Sequence, residues 1–456
     1  MLVVRPARSR PPQRSAFCVG ALCAWVLGGL LAGLGGCDWA QGTPPPDDRA
    51  VFPTGLAIHP DGQHLVVVSS NFDLAYDDGA VLLADLEAVR AGIDNSTAEA
   101  PEDRVATGTY VSSVAVPPFG DRPVLDENGS RLFLPTRQSN LISEIRVDAA
   151  EQTLSCGDGP CGAAPFALQL TDNDPFDVRL LAEDHDDSGD LIAARGLVSS
   201  LGSGRITFFG FDGSRDDAAR LRLENGVVEL GEDVVSVRAA TLRPATADTQ
   251  RLAIVAAEFQ RASTTSTAII GGARLYWFAP AAGATPTMAD LTVLTGSQGV
   301  REVMLVAGDD GENDALLVTL RVPDAIARFE IDDTTDGMEV RLAGLTSTCR
   351  GPTRMARADL ATVPPLTRAL VTCQDGQAIV AFDPVTLDVT DAARFFGRSP
   401  YDVVVNDRVD PPEVYVSFFL DNSIGVLGLF DEDGAPRLTI RGRIGTPLPP
   451  PEDGRE

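Results

Sequence analysis

Seven short apolar segments recur along this chain, and their recurrence constrains its fold more than any other feature. Each follows an earlier apolar segment and a turn rich in glycine and aspartate, and polar loops separate successive units. Short strands separated by turn residues at regular spacing are typical of an all-β repeat protein. The seven segments lie at residues 80–85, 142–148, 205–212, 274–278, 325–332, 378–383 and 424–430.

Each unit has room for four strands, with the recurring segment as the third and stretches such as 338–342 and 437–441 as the fourth. Seven four-stranded units predict a seven-bladed β-propeller over residues 51–444. A row of β-sandwiches is the alternative, which the common pattern of seven successive units disfavours. Residues 445–456 are predicted to form a disordered C-terminal tail.

The N-terminus carries the pattern of an export signal. Four arginines and no acidic residue precede an uncharged run from Phe17 to Gly36, which predicts a secretory signal peptide over residues 1–36. The run ends in Leu34-Gly35-Gly36-Cys37, which resembles the lipobox of bacterial lipoproteins. The resemblance implies cleavage before Cys37, acylation of its thiol, for example by palmitate, and a lipid-anchored tether over residues 37–50. An uncleaved transmembrane anchor is the alternative, since about 20 apolar residues can span a bilayer.

These features predict a location in the cell envelope of a bacterium. The protein would be held on a membrane by its acyl chains and would face the periplasm or the exterior, where an envelope protein is a candidate partner. Four cysteines lie beyond Cys37, and an even number in an oxidising compartment predicts two disulfides. We expect one disulfide across a short turn and one across a hairpin, pairing Cys156 with Cys161 and Cys349 with Cys373.

The charge of the chain excludes one class of partner. It has 65 acidic and 37 basic residues, all of the latter arginine, for a net charge of −28. An acidic protein repels phosphate backbones, so we expect no binding to nucleic acid.

The first unit carries the clearest family resemblance. It contains Pro53-Thr54-Gly55-Leu56-Ala57-Ile58-His59-Pro60-Asp61-Gly62 and then Leu65-Val66-Val67-Val68-Ser69-Ser70-Asn71. This pattern is similar to the lactonase-like and surface-layer-type propeller repeats of bacterial envelope proteins, and later units show it more faintly. The resemblance implies the propeller fold and says little about activity.

One position in each unit, directly before the first apolar residue of the innermost strand, is predicted to face a mouth of the central channel. Four units have a proline two residues earlier, at 53, 175, 352 and 400, which fixes φ where the chain turns inward. The seven positions are Gly55, Ser113, Asp177, Ala239, Glu302, Arg354 and Asp402.

The carboxylates of this ring predict a candidate cation site. Asp177, Glu302 and Asp402 supply the oxygen ligands that Ca²⁺ prefers, so Ca²⁺ is the candidate cofactor. A solvated, partly salt-bridged funnel is the alternative. The same face carries candidate binding residues, namely Arg354 and the loop asparagines Asn71, Asn140 and Asn422.

Two functions follow from these observations. The three histidines, His59, His64 and His185, lie beside turns away from the predicted mouth, which disfavours a histidine-based triad or zinc site. A non-enzymatic ligand- or protein-binding scaffold is therefore favoured. The alternative is a hydrolase resembling metal-dependent propeller lactonases, in which the cation would polarise a carbonyl and Arg354 would stabilise the oxyanion.

Overall fold

A computed structural model describes residues 43–172, 174–245, 251–262, 269–307, 314–334, 337–362 and 365–447. The predicted signal peptide, Cys37 and residues 448–456 of the predicted tail lie outside these ranges. The described strands form seven sheets that follow one another along the chain, which confirms the predicted all-β, seven-bladed propeller with four-stranded blades. Among the described residues, no helix combines the length and apolar character of a membrane span.

Blades 1 and 2 contain elements beyond four consecutive strands, whereas blade 3 does not. Blade 1 contains β1 (Pro53–Ile58), β2 (His64–Ser69), β3 (Gly79–Asp85), an insertion with α1 (Leu86–Asp94) and β4 (Val105–Ala106), and then β5 (Tyr110–Val116). Blade 2 contains β6 (Val124–Leu125), β7 (Arg131–Thr136), β8 (Leu141–Asp148), β9 (Thr153–Ser155) and β10 (Ala167–Gln169). Blade 3 contains β11 (Pro175–His185), β12 (Leu191–Ser200), β13 (Arg205–Asp212) and β14 (Leu221–Glu229).

Blades 4 to 7 each contain four consecutive strands. Blade 4 contains β15 (Val234–Arg243), β16 (Leu252–Ala262), β17 (Ile269–Phe278) and β18 (Thr287–Asp290), followed by α2 (Leu291–Thr295). Blade 5 contains β19 (Gly299–Val306), β20 (Ala315–Arg321), β21 (Ala325–Thr334) and β22 (Gly337–Thr346). Blade 6 contains β23 (Pro352–Leu360), β24 (Leu366–Cys373), β25 (Ala378–Phe382) and β26 (Val389–Arg394). Blade 7 contains β27 (Pro400–Asn406), β28 (Glu413–Phe418), β29 (Ser423–Phe430) and β30 (Pro436–Ile444).

The predicted third strands match the structure to within one residue at their ends or lie inside longer strands. They correspond to β3, β8, β13, β17, β21, β25 and β29, and the two predicted fourth strands lie within β22 and β30. These strands are found because both of their faces are buried between neighbouring blades, which leaves nearly continuous apolar runs in the sequence.

Helix α1 is an element that the sequence analysis did not predict. The Asp85 carboxylate accepts hydrogen bonds from the backbone N–H groups of Glu87 and Ala88, which begins the helix. Leu86, Val89 and Ile93 form its buried face. The nine-residue helix is too short to stand out against the strands around it.

The ring closes through the insertion of blade 1. Strand β4 pairs in parallel with β30, with Val105 opposite Arg443 and Ala106 opposite Ile444, and so becomes the fifth strand of blade 7. Helix α1 packs on the same strand, where a β-carbon on Gly442 would lie 2.8 Å from Cγ1 of Ile93. Glycine therefore allows the helix to approach β30 closely, and we call this arrangement of α1 and β4 on β30 the clasp.

Both predicted disulfides are confirmed. Cys156 and Cys161 are joined across a turn after β9, with their α-carbons 5.2 Å apart. Cys349 and Cys373 are joined with α-carbons 5.8 Å apart, which links the approach to β23 with the end of β24. The second disulfide therefore lies on the face where the second strands end.

Candidate functional site

A shared device turns each innermost strand into the channel. Strands β1, β11, β23 and β27 begin at the four predicted prolines, and each pairing shifts register directly after the proline. Such a bulge leaves a backbone N–H without its ladder partner and re-aims the side chains. Hydroxyls of the second strands accept these N–H groups: Asp177 N–H donates to Ser199 (3.1 Å), Arg354 N–H to Thr372 (3.0 Å) and Asp402 N–H to Ser417 (2.9 Å).

Six of the seven predicted ring positions lie in innermost strands and one does not, and of the seven only Arg354 lines the pocket at the mouth described below. Ser113 lies in β5, the outermost strand of blade 1, where it pairs with Leu82. In blade 2 its place belongs to Arg122, which precedes the two-residue strand β6. A two-residue strand leaves no apolar run to align in the sequence, whereas the longer β5 has the apolar pattern that was expected of an inner strand. We call Gly55, Arg122, Asp177, Ala239, Glu302, Arg354 and Asp402 the buried ring.

Two arginines of the buried ring bind the carboxylates around them. Arg354 places Nη1 3.1 Å from Oε2 of Glu302 and Nη2 2.9 Å from Oδ1 of Asp121. Arg122 places Nη1 3.2 Å from the same Glu302 oxygen, and it also pairs with Asp402. The side chains of Arg354, Glu302, Asp121 and Asp402 are almost fully shielded from solvent, whereas that of Arg122 is 13% exposed. The partners of Arg354 outweigh the effect of burial and raise its pKa above the ordinary value.

Asp177 lies apart from that network. One of its carboxylate oxygens accepts the backbone N–H of Ala240 (2.8 Å) and lies 3.1 Å from Nη2 of Arg179. Its other oxygen is buried and has no hydrogen-bond partner among the described residues. The structure therefore brings Glu302, Arg354 and Asp402 together through Arg122, whereas the direct partners of Asp177 are Ala240 and Arg179.

The predicted calcium ligands do not form a close group. In the described ranges, two clusters have ligand atoms near enough together to hold one ion: His59 with Asp61 and His64, and Asp126 with Glu183 and His185. Both lie at turns between first and second strands, where the histidines were expected. In the first, Asp61 bridges the histidines, 3.0 Å from Nδ1 of His59 and 2.7 Å from Nδ1 of His64.

Above the buried ring, a pocket of about 290 Å³ opens at the mouth of the channel. Every inner strand contributes to it the residue one position before its buried-ring member. This set, which we call the mouth ring, consists of Thr54, Asp121, Phe176, Arg238, Arg301, Thr353 and Tyr401. Residues at the ends of six second strands form a rim around it: Ser70, Arg137, Leu201, Arg321, Gln374 and Phe419. The remaining lining comes from Phe72, Phe119, Gly120 and Arg354.

The pocket is rich in arginine although the protein is strongly acidic. Three of its arginines have carboxylate partners at the pocket edge: Arg137 with Asp174, Arg238 with Glu258 (2.8 Å) and Arg321 with Asp375 (2.7 Å). Arg301 has no ion pair or hydrogen bond among the described residues. Burial and the nearby guanidinium groups of Arg238 and Arg321 lower its pKa, although the carboxylate of Glu258 acts to raise it, and the group stays charged at neutral pH.

Among the described residues, Asp121 supplies the one carboxylate that lines the pocket. Burial raises the pKa of Asp121 to about 6, although Arg354 and the backbone N–H of Arg122 act to lower it. The Asp121 carboxyl therefore changes charge close to neutral pH. The hydroxyl of Tyr401 lies 3.4 Å from its Oδ2 atom.

The three candidate asparagines surround the pocket but do not line it. Asn140 and Asn422 each accept, through Oδ1, the backbone N–H of the residue before the proline of the next blade, at Asp174 and Phe52 (2.9 Å each). Asn71 binds Tyr76 within its own loop. All three have positive φ angles, which asparagine tolerates better than most residues. Their amide oxygens are therefore engaged by the backbone.

The comparisons with known proteins identify the fold alone. No protein-family model matches this chain, and no curated protein matches its sequence. Among solved structures, hydrazine synthase of Kuenenia stuttgartiensis is similar with a TM-score of 0.50 and 12% identity, over 86% of this chain and 99% of that one.

Two gluconolactonase structures are also similar over 77% of this chain and 87% of theirs. They are a putative 6-phosphogluconolactonase from Bacteroides uniformis (TM-score 0.49, 16% identity) and a periplasmic gluconolactonase from Pseudomonas aeruginosa (TM-score 0.48, 17% identity). At these identities the likeness extends to the propeller and not to its chemistry.

Proposed function

We propose that this protein is a lipid-anchored, non-enzymatic binding protein of the cell envelope whose central pocket holds an anionic small molecule. Arg301 carries the binding proposal, because it presents a guanidinium group without a carboxylate partner among the described residues. Guanidinium groups bind carboxylate or phosphate oxygens in a two-pronged geometry. A ligand that supplies the missing negative charge would complete the site.

The surroundings of Arg301 support this proposal. Arg238 and Arg321 lie close enough to lower its pKa, while Glu258, which is paired with Arg238, acts in the opposite direction. An anionic ligand would relieve the repulsion between these arginines.

The anchoring part of the proposal rests on Cys37 and on the disulfides. The sequence around Cys37 resembles a lipobox, and two disulfides are typical of a protein in an oxidising compartment. Cells fed radioactive palmitate should label the wild-type chain and leave Cys37→Ala unlabelled. Labelling of the variant, or its retention in the membrane fraction, would contradict the anchor at Cys37.

A metal-dependent hydrolase has less support. Glu302 and Asp402 bind arginine side chains, so a cation at these residues would have to compete with two guanidinium groups. The pocket above them contains one carboxyl group that could act as a general base, that of Asp121, but neither of the two clusters of metal-ligating residues in the described ranges lines it.

Thermal melting of the full chain in a non-ionic detergent tests the binding proposal. Sodium phosphate should raise the melting temperature above that in sodium chloride of equal ionic strength. At a phosphate concentration 100 times the dissociation constant, binding should stabilise the folded state by about 2.7 kcal/mol. Arg301→Ala should abolish this difference. Arg408→Ala is the matched control, because Arg408 is exposed on a turn between a first and a second strand. Equal melting in both salts, or an unchanged shift in Arg301→Ala, would contradict the proposal.

A further inference from the structure

We propose that the ligand of the central pocket is an anion that also carries an aromatic ring, such as an aryl carboxylate. This inference rests on the proposed function and adds the chemistry of the second half of the ligand. Its basis is that the pocket has two chemically different sides, one cationic and one aromatic.

The cationic side belongs to blades 4 and 5. Arg238 precedes the buried-ring residue of blade 4, Arg301 does the same in blade 5, and Arg321 ends the second strand of blade 5. The three guanidinium groups are near one another, since Arg238 and Arg321 both lower the pKa of Arg301. The other arginines of the pocket, Arg137 and Arg354, are bound to carboxylates, as are Arg238 and Arg321. Arg301, without such a partner among the described residues, therefore attracts an anionic group to this side.

The aromatic side belongs to blades 7 and 1 and to the link into blade 2. Phe72 packs edge-to-face against Phe119, with ring centroids 5.2 Å apart, and against Phe419 at 5.3 Å. The ring centroids of Tyr401 and Phe52 also lie close to that of Phe419, at 6.0 Å and 5.0 Å. In a ring of seven blades, blades 4 and 5 stand opposite blade 1, so the two sides face each other across the pocket.

A left-handed backbone and an exposed ring occur together on the aromatic side. Phe395, outside the pocket, has both features as well, so they support a ligand site only because Phe72 and Phe119 line the pocket. Phe52 and Phe119 have φ angles of 48° and 59°, in the left-handed region that bulky side chains avoid. Such backbone strain clusters at binding sites, where the surrounding structure enforces it. Phe72, at the centre of the array, remains 51% exposed, which is unfavourable for an apolar ring without a partner.

The other aromatic residue of the mouth ring is already engaged. The ring of Phe176 has the guanidinium of Arg354 at 4.8 Å and that of Arg137 at 5.9 Å from its centroid. Phe72, Phe119 and Phe419 are thus the rings that remain for a ligand. An additional aromatic ring would join their edge-to-face array, because the positive edge of one ring is attracted to the negative face of another. The cavity of about 290 Å³ is at the small end of small-molecule pockets, which suits one ring and one anionic group.

Four related probes separate the two halves of the ligand. Calorimetric titration of the full chain would compare 3-phenylpropionate with propionate, which lacks the ring, and with 3-phenylpropionamide, which lacks the charge. 3-Cyclohexylpropionate keeps the charge and the bulk but has no aromatic face. We expect 3-phenylpropionate to bind at least tenfold more tightly than propionate or the amide, and at least threefold more tightly than the cyclohexyl analogue.

The variant Phe72→Ala locates the ring. It should reduce the preference for 3-phenylpropionate over propionate to less than twofold. Phe395→Ala is the matched control, because Phe395 is 81% exposed, has a φ angle of 58° and lies outside the central pocket. Both substitutions remove an exposed ring, so neither should prevent folding.

The outcomes distinguish this inference from the proposed function. Equal binding of propionate and 3-phenylpropionate, both lost in Arg301→Ala, would overturn the aromatic assignment and leave anion binding intact. Equal binding of the phenyl and cyclohexyl compounds would also overturn it, since bulk alone would then explain the gain. Failure of every carboxylate and of phosphate to bind would overturn the proposed function itself.

Discussion

Arg122 of blade 2 and Asp402 of blade 7 form an ion pair that passes over the inner strand of blade 1, with Nε of the arginine 3.1 Å from Oδ1 of the aspartate. The pair is possible because Gly55 of blade 1 has no side chain. A β-carbon at Gly55 would lie 2.4 Å from the carbonyl oxygen of Asp121 and 2.9 Å from the α-carbon of Arg122. The glycine of the buried ring thus allows the chain of blade 2 to reach the channel.

The first prediction concerns this close approach. Gly55→Ala should lower the free energy of unfolding by about 2–3 kcal/mol, because the added methyl group meets backbone atoms that cannot rotate away. Gly159→Ala is the control, since a β-carbon there has nothing within 4 Å. Urea unfolding measures both variants, and similar values for the two would show that the approach at Gly55 is not tight.

The second prediction concerns the ion pair between Arg122 and Asp402. Arg122→Met should destabilise the protein by about 3–5 kcal/mol, because Asp402 is fully buried and would lose its guanidinium partner. The matched substitution Arg437→Met, at a side chain that is 68% exposed, should have little effect. A loss below 1 kcal/mol in chemical denaturation of Arg122→Met would mean that backbone N–H groups suffice to hold Asp402.

The third prediction is a pH dependence of anion binding. Asp121 has a pKa of about 6 in the folded protein, above its ordinary value of 3.8. As the pH falls from 7 to 5, this carboxyl takes up a proton and the mouth ring loses its negative charge. The affinity for benzenesulfonate, whose own charge is constant, should therefore rise by about three- to tenfold.

The control for this prediction is Asp121→Asn. It should bind benzenesulfonate as tightly at pH 7 as the wild type does at pH 5, with a flat profile, and a persisting pH dependence would assign the effect to another group. The same group affects stability. The folded state holds the Asp121 proton between about pH 4 and 6 and the unfolded chain does not, so this contribution to stability declines as the pH rises through that window.

The fourth prediction contrasts two arginines. Arg301→Gln should change the melting temperature by little, because Arg301 has no ion pair among the described residues and Glu258 partly offsets the repulsion from Arg238 and Arg321. Arg220→Gln should lower stability by about 3–5 kcal/mol, because Arg220 is fully buried and its Nε lies 2.7 Å from Glu144. Comparable losses in both variants would show that Arg301 has a structural role.

The fifth prediction concerns the two disulfides. Removal of the Cys349–Cys373 bond by a double alanine substitution should cost about 3.5 kcal/mol, because a sequence separation of 24 residues closes a sizeable loop. Removal of Cys156–Cys161, with a separation of 5, should cost about 2 kcal/mol. The reverse order in denaturant unfolding would show that strain or residual structure outweighs loop entropy.

The blade count and most strands could be predicted from the sequence, because strands buried on both faces leave long apolar runs. The same reasoning failed at Ser113, because β6 has only two residues and the apolar alternation of β5 took its place in the alignment. A Gly-Asp-Arg-Pro stretch at residues 120–123 was the available signal, since a proline near an inner strand recurs in four other blades.

The pocket itself lay one residue away from the predicted ring. Bulges at the starts of the inner strands bring two consecutive residues to the channel, so the position before each predicted residue also faces inward. Arg301, directly before Glu302, could have been found this way. The rim residues Arg321 and Phe419 could not, because their role depends on where second strands end. Phe72 and Phe119 lie on loops, and the left-handed backbone of Phe119 could not be predicted because phenylalanine does not favour that conformation.

The clasp is also one of the last contacts that can form while the chain is being synthesised. Strand β4 lies early in the chain and its partner β30 lies near the end, so the contact cannot form until almost the whole chain has been synthesised. Until then, the apolar face of α1, with Val89 and Ile93, has no complete surface to cover it. The clasp therefore forms only in chains that include β30, and a chain truncated before Arg443 would leave the apolar face of α1 exposed, which favours aggregation and degradation.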